Sequence, residues 1–148
     1  MEFSELCERA FSVVAPRKLS ETAEAGGVGA ALETDSGNVY VGVCMDISCS
    51  IGFCAEHAAA AAMVTAGENR VVKMVAVNRD GVPIPPCGRC RELITSLHPE
   101  NRDALVLVEP GTILPLKELL PFDWKKRSRP ADVPVRIEER WMSDESFT

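Results

Sequence analysis

Apolar positions change their spacing along the chain in a way that marks one element after another. From the N-terminus they fall at Phe3, Leu6, Cys7, Ala10, Phe11 and Val14, the spacing of one helical face. This predicts a first amphipathic helix ended by Pro16. Arg17 to Ala25 is polar and small and reads as a connection. Val28 to Thr34 and Val39 to Met45 are strand-like runs flanking the turn signal Asp35-Ser36-Gly37-Asn38, so a β-hairpin is predicted. Asp46 to Phe53 reads as a loop. An alanine-rich second helix is predicted from Cys54 to about Ala66, with Gly67 as its stop.

Val71 to Asn78 and Ala104 to Glu109 are nearly continuous apolar runs. Such runs fit strands buried on both faces and paired in parallel through a crossover helix. The crossover is Gly88 to Leu97, with Cys90, Leu93, Ile94 and Leu97 on one face and Pro99 as its stop. Leu116 to Leu120 predicts a short last helix before Pro121. The order is helix, hairpin, helix, strand, helix, strand, helix: an α/β chain with a sheet layered by helices. Beyond Trp124 the character changes. Lys125 to Arg129 is basic, and Ser143 to Thr148 is acidic and polar. Between them Val133, Val135 and Ile137 alternate with polar residues and predict a short edge strand, where Pro134 is tolerated.

Composition narrows the partners. The 148 residues, 46% hydrophobic and 26% charged, fit one ordinary globular domain with a substantial core. A formal net charge of −6 has the wrong sign for gripping a polyanion, so a small-molecule partner is expected and nucleic acid is not. The start, Met1 to Glu5, is acidic where a secretory signal is basic. The most apolar stretch, Ala58 to Val64, is too short to span a bilayer. No membrane association and a cytoplasmic location are expected. Nothing indicates an oxidising compartment, so the six cysteines are not read as disulfides. Cys7, Cys44 and Cys49 lie among apolar neighbours and read as buried free thiols.

The other three cysteines carry the chemistry. Pro85-Pro86-Cys87-Gly88-Arg89-Cys90 sets two thiols two residues apart after a proline break. Alone, such a pair suits either zinc or redox chemistry. A third thiol in Cys54-Ala55-Glu56 favours zinc, because three protein ligands leave a fourth position for water, as catalytic zinc sites do. Cys54 and the Cys87–Cys90 turn fall at predicted helix starts, which favour anions. Arg89 and Arg91 flank Cys90 and offer positive charge. Glu56, in the first turn of its helix, suits a proton carrier beside the open position. Without the cysteines it would read as an ordinary helix-start acid. A structural zinc closed by Cys49 or His57, with the chain as an assembly or binding module, is the competing reading. Dithiol redox chemistry at Cys87 and Cys90 is another.

Cys54-Ala55-Glu56, followed at a distance by Pro86-Cys87-Gly88-Arg89-Cys90, resembles the motif pair of zinc-dependent cytidine deaminases. Val28-Gly29-Ala30-Ala31-Leu32 and Glu118-Leu119-Leu120-Pro121 are similar to the small, commonly homotetrameric branch. Pro86 to Arg91, with Leu97-His98-Pro99 behind it, is similar to blasticidin-S deaminase, a member acting on an aminoacyl nucleoside antibiotic. The resemblance covers about Met1 to Trp124, so residues 1–124 are expected to form a zinc domain and 125–148 an extension of it. It implies a three-layer α/β/α sandwich around a mixed sheet with an N-terminal hairpin. It further implies Zn²⁺ on Cys54, Cys87 and Cys90, Glu56 as proton shuttle, and hydrolytic release of ammonia from a cytosine-type ring. The Pro85 carbonyl would meet the leaving amine. Trp124 takes the place of an aromatic that reaches a bound ring, often across a subunit boundary in a tetramer or dimer. His57 stands where many members have an arginine beside the thiolates. The family's Asn-x-Glu-Asn run, which holds ribose hydroxyls, is matched here by Val43-Cys44-Met45-Asp46. That alignment puts Val43 and Met45 at the sugar contacts and implies a substrate other than plain cytidine.

Overall fold

The computed structural model describes residues 1–126. The predicted edge strand at Val133, Val135 and Ile137 therefore lies outside the described residues. Seven strands make one mixed sheet: β1 (Arg17–Ser20), β2 (Ala23–Thr34), β3 (Val39–Ile47), β4 (Val71–Val77), β5 (Pro83–Ile84), β6 (Leu105–Glu109) and β7 (Thr112–Pro115). The helices are α1 (Phe3–Phe11), α2 (Ala55–Thr65) and α3 (Gly88–Leu97), with short 3₁₀ turns at Pro99–Asp103, Leu116–Leu119 and Trp124–Lys126.

β2 and β3 form the predicted hairpin in the register Gly29↔Val43 to Glu33↔Val39. On its other edge β2 pairs antiparallel with β4, which in turn pairs parallel with β6. Both β3 and β4 run antiparallel to β2, so they point the same way; α2 follows β3, and α3 follows the short β5, which turns back beside the carboxyl end of β4. Helices arranged like this deliver their N-termini to the carboxyl ends of the strands, where open α/β sheets bind ligands.

Side chains alternate across the sheet as the pleat requires. Ala31, Val75, Val77 and Leu107 face α1 and pack on Leu6 and Ala10. Leu32, Met74, Val106 and Val108 face the other way, against Ala59, Ala60 and Met63 of α2 and Ile94 of α3. The result is the expected three-layer α/β/α sandwich. Burying each large aliphatic side chain contributes about 1.5–3 kcal/mol. Asn101 ties the second layer together: fully buried, it accepts from the Val71 amide at 2.7 Å and donates to the Asn69 and Ile94 carbonyls, both at 2.9 Å.

The alanine content of α2 has a geometric use. A Cβ on Gly42 would lie 2.5 Å from the Ala59 nitrogen and 2.6 Å from the Ala58 Cβ. Glycine on β3 and alanine on α2 thus bring the helix axis close to the sheet and fix the height of its first turn.

Several expectations are corrected. Arg17–Ser20 is a strand, not a connection; all four residues are exposed, so it joins the sheet through main-chain pairing that leaves no apolar signal. β5 and β7 were unexpected because two and four residues are too short to carry a strand pattern. α1 ends at Phe11, capped at Ser12, well before Pro16, and Phe11 is largely exposed. The last helix is a 3₁₀ turn. Cys44 is buried and Cys7 half-buried, but Cys49 is exposed, on a turn with a left-handed backbone. Among the described residues no helix is long and apolar enough to cross a membrane.

Candidate active site

Cys54 is the N-cap of α2 and Cys87 the N-cap of α3, both with extended backbone, while Cys90 lies in the first turn of α3. The two helix starts converge. Cys54 Sγ is 3.3 Å from Cys87 Sγ, and Cys87 Sγ is 3.5 Å from Cys90 Sγ. Tetrahedral zinc with Zn–S bonds of 2.3 Å spaces its sulfurs by about 3.8 Å, so a few tenths of an ångström of adjustment would admit the ion. At the start of α3 the Cys90 and Arg89 amides bear on Cys87 Sγ, and a helix start suits a thiolate.

Glu56, in the first turn of α2, is only 4% exposed. Its Oε2 accepts from the Cys90 thiol at 3.4 Å. Burial raises the Glu56 pKa, and its own amide and Cys90 offset only part of that rise. Burial also pushes the Cys54 thiol up to about 11, and it raises Cys90 together with the neighbouring Glu56 charge. For Cys87, burial is outweighed by the Cys90 and Arg89 amides and the two neighbouring thiols, so its pKa falls. Three thiols this close cannot all ionise unaided. A soft divalent cation would let them, with release of protons, so the residues present fit zinc.

His57 Nδ1 lies 3.4 Å from Cys90 Sγ, and its ring nitrogen, Cys54 Sγ and Cys90 Sγ all fall within 4.8 Å of one another. Burial, then the charge of Arg89, lowers its pKa. Arg89 reaches across to the Gly52 carbonyl at 3.3 Å and lines the cavity. Arg91, expected beside the thiolates, turns away. Its Nε donates to the Pro86 carbonyl at 2.8 Å and its Nη1 to the Leu119 carbonyl at 2.9 Å. It holds the proline turn in place instead of adding charge at the sulfurs.

Cys54, Cys87 and Glu56 open on a cavity of about 890 Å³, and Cys90 is buried behind them. Cys54, Glu56, Cys87, Pro85 and Arg89 line one end, and Cys44, Met45, Asp46, Asn78, Arg79 and Asp80 line another part of it. Trp124 does not line it. That indole is 69% exposed and donates to Glu92 on α3 at 2.7 Å.

The chain is 32% identical over 95 residues to the cytidine deaminase of Mycobacterium tuberculosis, a match covering 64% of this chain and 69% of the relative. The chain belongs to the cytidine deaminase family. Crystal structures agree. The M. tuberculosis cytidine deaminase superposes with a TM-score of 0.69 at 28% identity, covering 82% of this chain and 96% of that one. The Burkholderia pseudomallei cytidine deaminase gives 0.67 at 27% identity, covering 82% and 98%. No family model matches the chain.

Of the two β3 residues expected at the sugar, Met45 lines the cavity and Val43 does not. Val43 shares the parity of Val39 and Val41, which pack toward α1. Cys44 and Asp46 take the opposite parity. Cys44 packs with Ala30, Ala55 and Ala76 beneath the site, and its sulfur accepts from the Val28 amide at 3.3 Å. Asp46 Oδ2 is 3.9 Å from that sulfur, and both residues line the cavity. Met45 lines it as well, its amide and carbonyl pinned to Phe53 at 3.0 Å. The missed signal was Gly42. Packed under α2, it sets which residues of β3 face the site, whereas counting back from Cys54 crosses a loop whose length is free to vary.

Proposed function

We propose that this chain is a zinc-dependent hydrolytic deaminase that removes the amine of a cytosine-type ring in a nucleoside or nucleoside analogue, releasing ammonia. The supporting observation is the buried Glu56 carboxyl, 3.4 Å from Cys90 and on the wall of the same cavity as Cys54 and Cys87. Cys54, Cys87 and Cys90 would hold the metal and leave one position for water. When bound, zinc supplies a Lewis acid that makes water nucleophilic near neutral pH.

Glu56 handles the protons. Its raised pKa suits a group that must both accept and return one. It takes a proton from the water whose oxygen adds to the amine-bearing carbon and passes it to the adjacent ring nitrogen. It then moves the second proton from the added hydroxyl to the amine. The C–N bond breaks, the carbonyl forms and ammonia leaves. Pro85, in the turn that Arg91 holds by the Pro86 carbonyl, offers its own carbonyl to the amine. The helix starts and Arg89 offset the negative charge of three thiolates.

Asp46 is suited to accept from a hydroxyl or cationic group carried on the ring, and Cys44 beside it offers only a weak thiol contact. That pair in place of Asn-x-Glu favours a substrate other than plain cytidine. The volume of the cavity and the charged Arg79 and Asp80 on its wall suit a larger nucleoside of the blasticidin-S type. The reading includes a homo-oligomer, a tetramer or a dimer, in which Trp124 reaches a neighbouring copy's ring. Its exposure, away from its own chain's cavity, supports that.

A second reading has one observation in its favour. With His57 Nδ1 as a fourth donor the metal site would be closed and structural, and the chain a binding or assembly module. Metal analysis with ammonia release over cytosine nucleosides, free bases and blasticidin S separates the two. About one zinc per chain and ammonia from at least one compound is expected. Zinc without ammonia from any of them overturns the deaminase reading in favour of the closed site.

A further inference from the structure

Arg91 carries one guanidinium to two carbonyls from distant parts of the chain. Nε donates to the Pro86 carbonyl at 2.8 Å and Nη1 to the Leu119 carbonyl at 2.9 Å. Its own amide donates to the Cys87 carbonyl at 3.1 Å, so it stands one turn along α3 from that thiol. Pro86 is buried, whereas Pro85 is exposed and lines the cavity with Cys87 and Glu56. The far anchor is firm. Leu116 opens the 3₁₀ turn that carries Leu119; it is fully buried, and its amide donates to the Ala104 carbonyl at 2.8 Å.

Few torsions separate the Pro85 carbonyl from Cys87. Peptide planes are rigid, so only φ and ψ of Pro86 relate the two. The ring of Pro86 holds φ at about −65°. That leaves ψ, which sets where the Pro86 carbonyl points, and this is the carbonyl that Arg91 holds. The aim of the Pro85 carbonyl is thereby tied to α3, the helix that starts from Cys87 and carries Cys90. A planar guanidinium with two donors engaged fixes such a geometry, which an ammonium on a flexible stem does not.

We propose that Arg91 is a positioning residue for the deamination: acting through Pro86, it sets the angle at which the Pro85 carbonyl accepts from the leaving amine. The proposal rests on the deaminase reading above. The amine departs with three protons, one of them delivered by Glu56, and the others need an acceptor on the cavity wall. Hydrogen bonds weaken steeply when misaligned, so a turn free to twist about ψ of Pro86 gives up that acceptor. The loss falls on steps that involve the amine and spares the addition of water to the ring.

The test compares a cytosine nucleoside that the parent protein deaminates with its 4-methoxy counterpart, using the full-length zinc-loaded protein. The methoxy group leaves as methanol, its single O–H proton coming from Glu56, and has none for the carbonyl. Arg91→Met keeps the length of the side chain and removes its donors. It should lower kcat/KM for the amine about tenfold to a hundredfold, the scale on which small misplacements act. The methoxy compound should be nearly unaffected and zinc content unchanged. If that variant does not fold, Arg91→Lys, which retains the charge without the fork, should show the same selective loss. Equal losses on both leaving groups, or no loss on either, overturn the proposal and leave the deaminase reading standing. A parent protein that releases ammonia from no cytosine nucleoside fails that reading, and the proposal with it.

Discussion

Glu56 and Cys90 meet at 3.4 Å, carboxyl to thiol, although 34 residues separate them in the chain. Two helices starting at the same end of the sheet make that contact, and it puts a titratable carboxyl beside the three sulfurs. Glu56→Gln keeps the shape and removes the titratable proton. We expect zinc content unchanged and ammonia release lowered by about 10²–10⁴-fold, the usual contribution of a positioned acid–base group. Metal analysis beside a rate assay checks it, and normal turnover in the variant would dismiss Glu56 as the proton carrier.

Asp46 and Val43 lie on opposite faces of β3, so their substitutions should separate. Asp46→Ala should lower kcat/KM by about tenfold to a hundredfold, because a hydrogen bond to a charged group is worth about 1.5–3 kcal/mol. Val43→Ala should leave kcat/KM nearly unchanged and cost only stability. The reverse pattern would restore Val43 as the substrate contact.

Gly42 leaves no room for a side chain beneath α2. Gly42→Val should destabilise by about 1–3 kcal/mol through overpacking. It should also loosen zinc, because Cys54 rides on the displaced helix. Urea unfolding and chelator competition measure the two effects, and a stability loss with zinc affinity unchanged would show that the helix start is held independently of its packing.

Glu68 closes the opposite end of α2. It accepts from Thr34 at 2.7 Å, Asn38 at 2.9 Å and the Tyr40 hydroxyl, and these bonds lower its pKa from 4.5 to about 2. A carboxyl depressed by folding stabilises fully above its unfolded pKa, and the effect fades as pH falls through the folded one. The contribution should thus be whole above about pH 4.5 and lost toward pH 2. Glu68→Gln should melt lower than the parent near neutral pH and converge with it in acid. Parallel melting curves across that range would rule out the clasp.

The motif residues were legible because a metal site of the proposed kind constrains residue type and local spacing together. Cys87 and Cys90 had to sit two residues apart at a helix start, and Cys54 and Glu56 likewise. The core of the fold was legible for a similar reason: the apolar runs of β4 and β6 and the helical face of α3 record burial directly. β1 was not, because a strand whose four side chains all face solvent carries no record of the main-chain hydrogen bonds that hold it. His57 was placed beside the thiolates only through the resemblance, since its approach to Cys90 depends on how α2 and α3 lie side by side. Arg91 illustrates the same limit, because adjacency to Cys90 in sequence says nothing of which way a helical side chain turns.

By itself, then, the sequence determined the residue types of the thiol site, the α/β layering and the unfavourable sign of charge for nucleic acid. Each of these is written in local pattern or in composition. Only the tertiary structure decided that Cys44 and Asp46, rather than Val43 and Met45 as a pair, are the side chains of β3 that share one face at the cavity. It also decided that Arg91 secures a turn. Strand parity is a period-two property, so one residue of slack in the loop before Cys54 reverses it. What removes the slack is the close contact of Gly42 with Ala58 and Ala59, which exists only once the helix lies on the sheet.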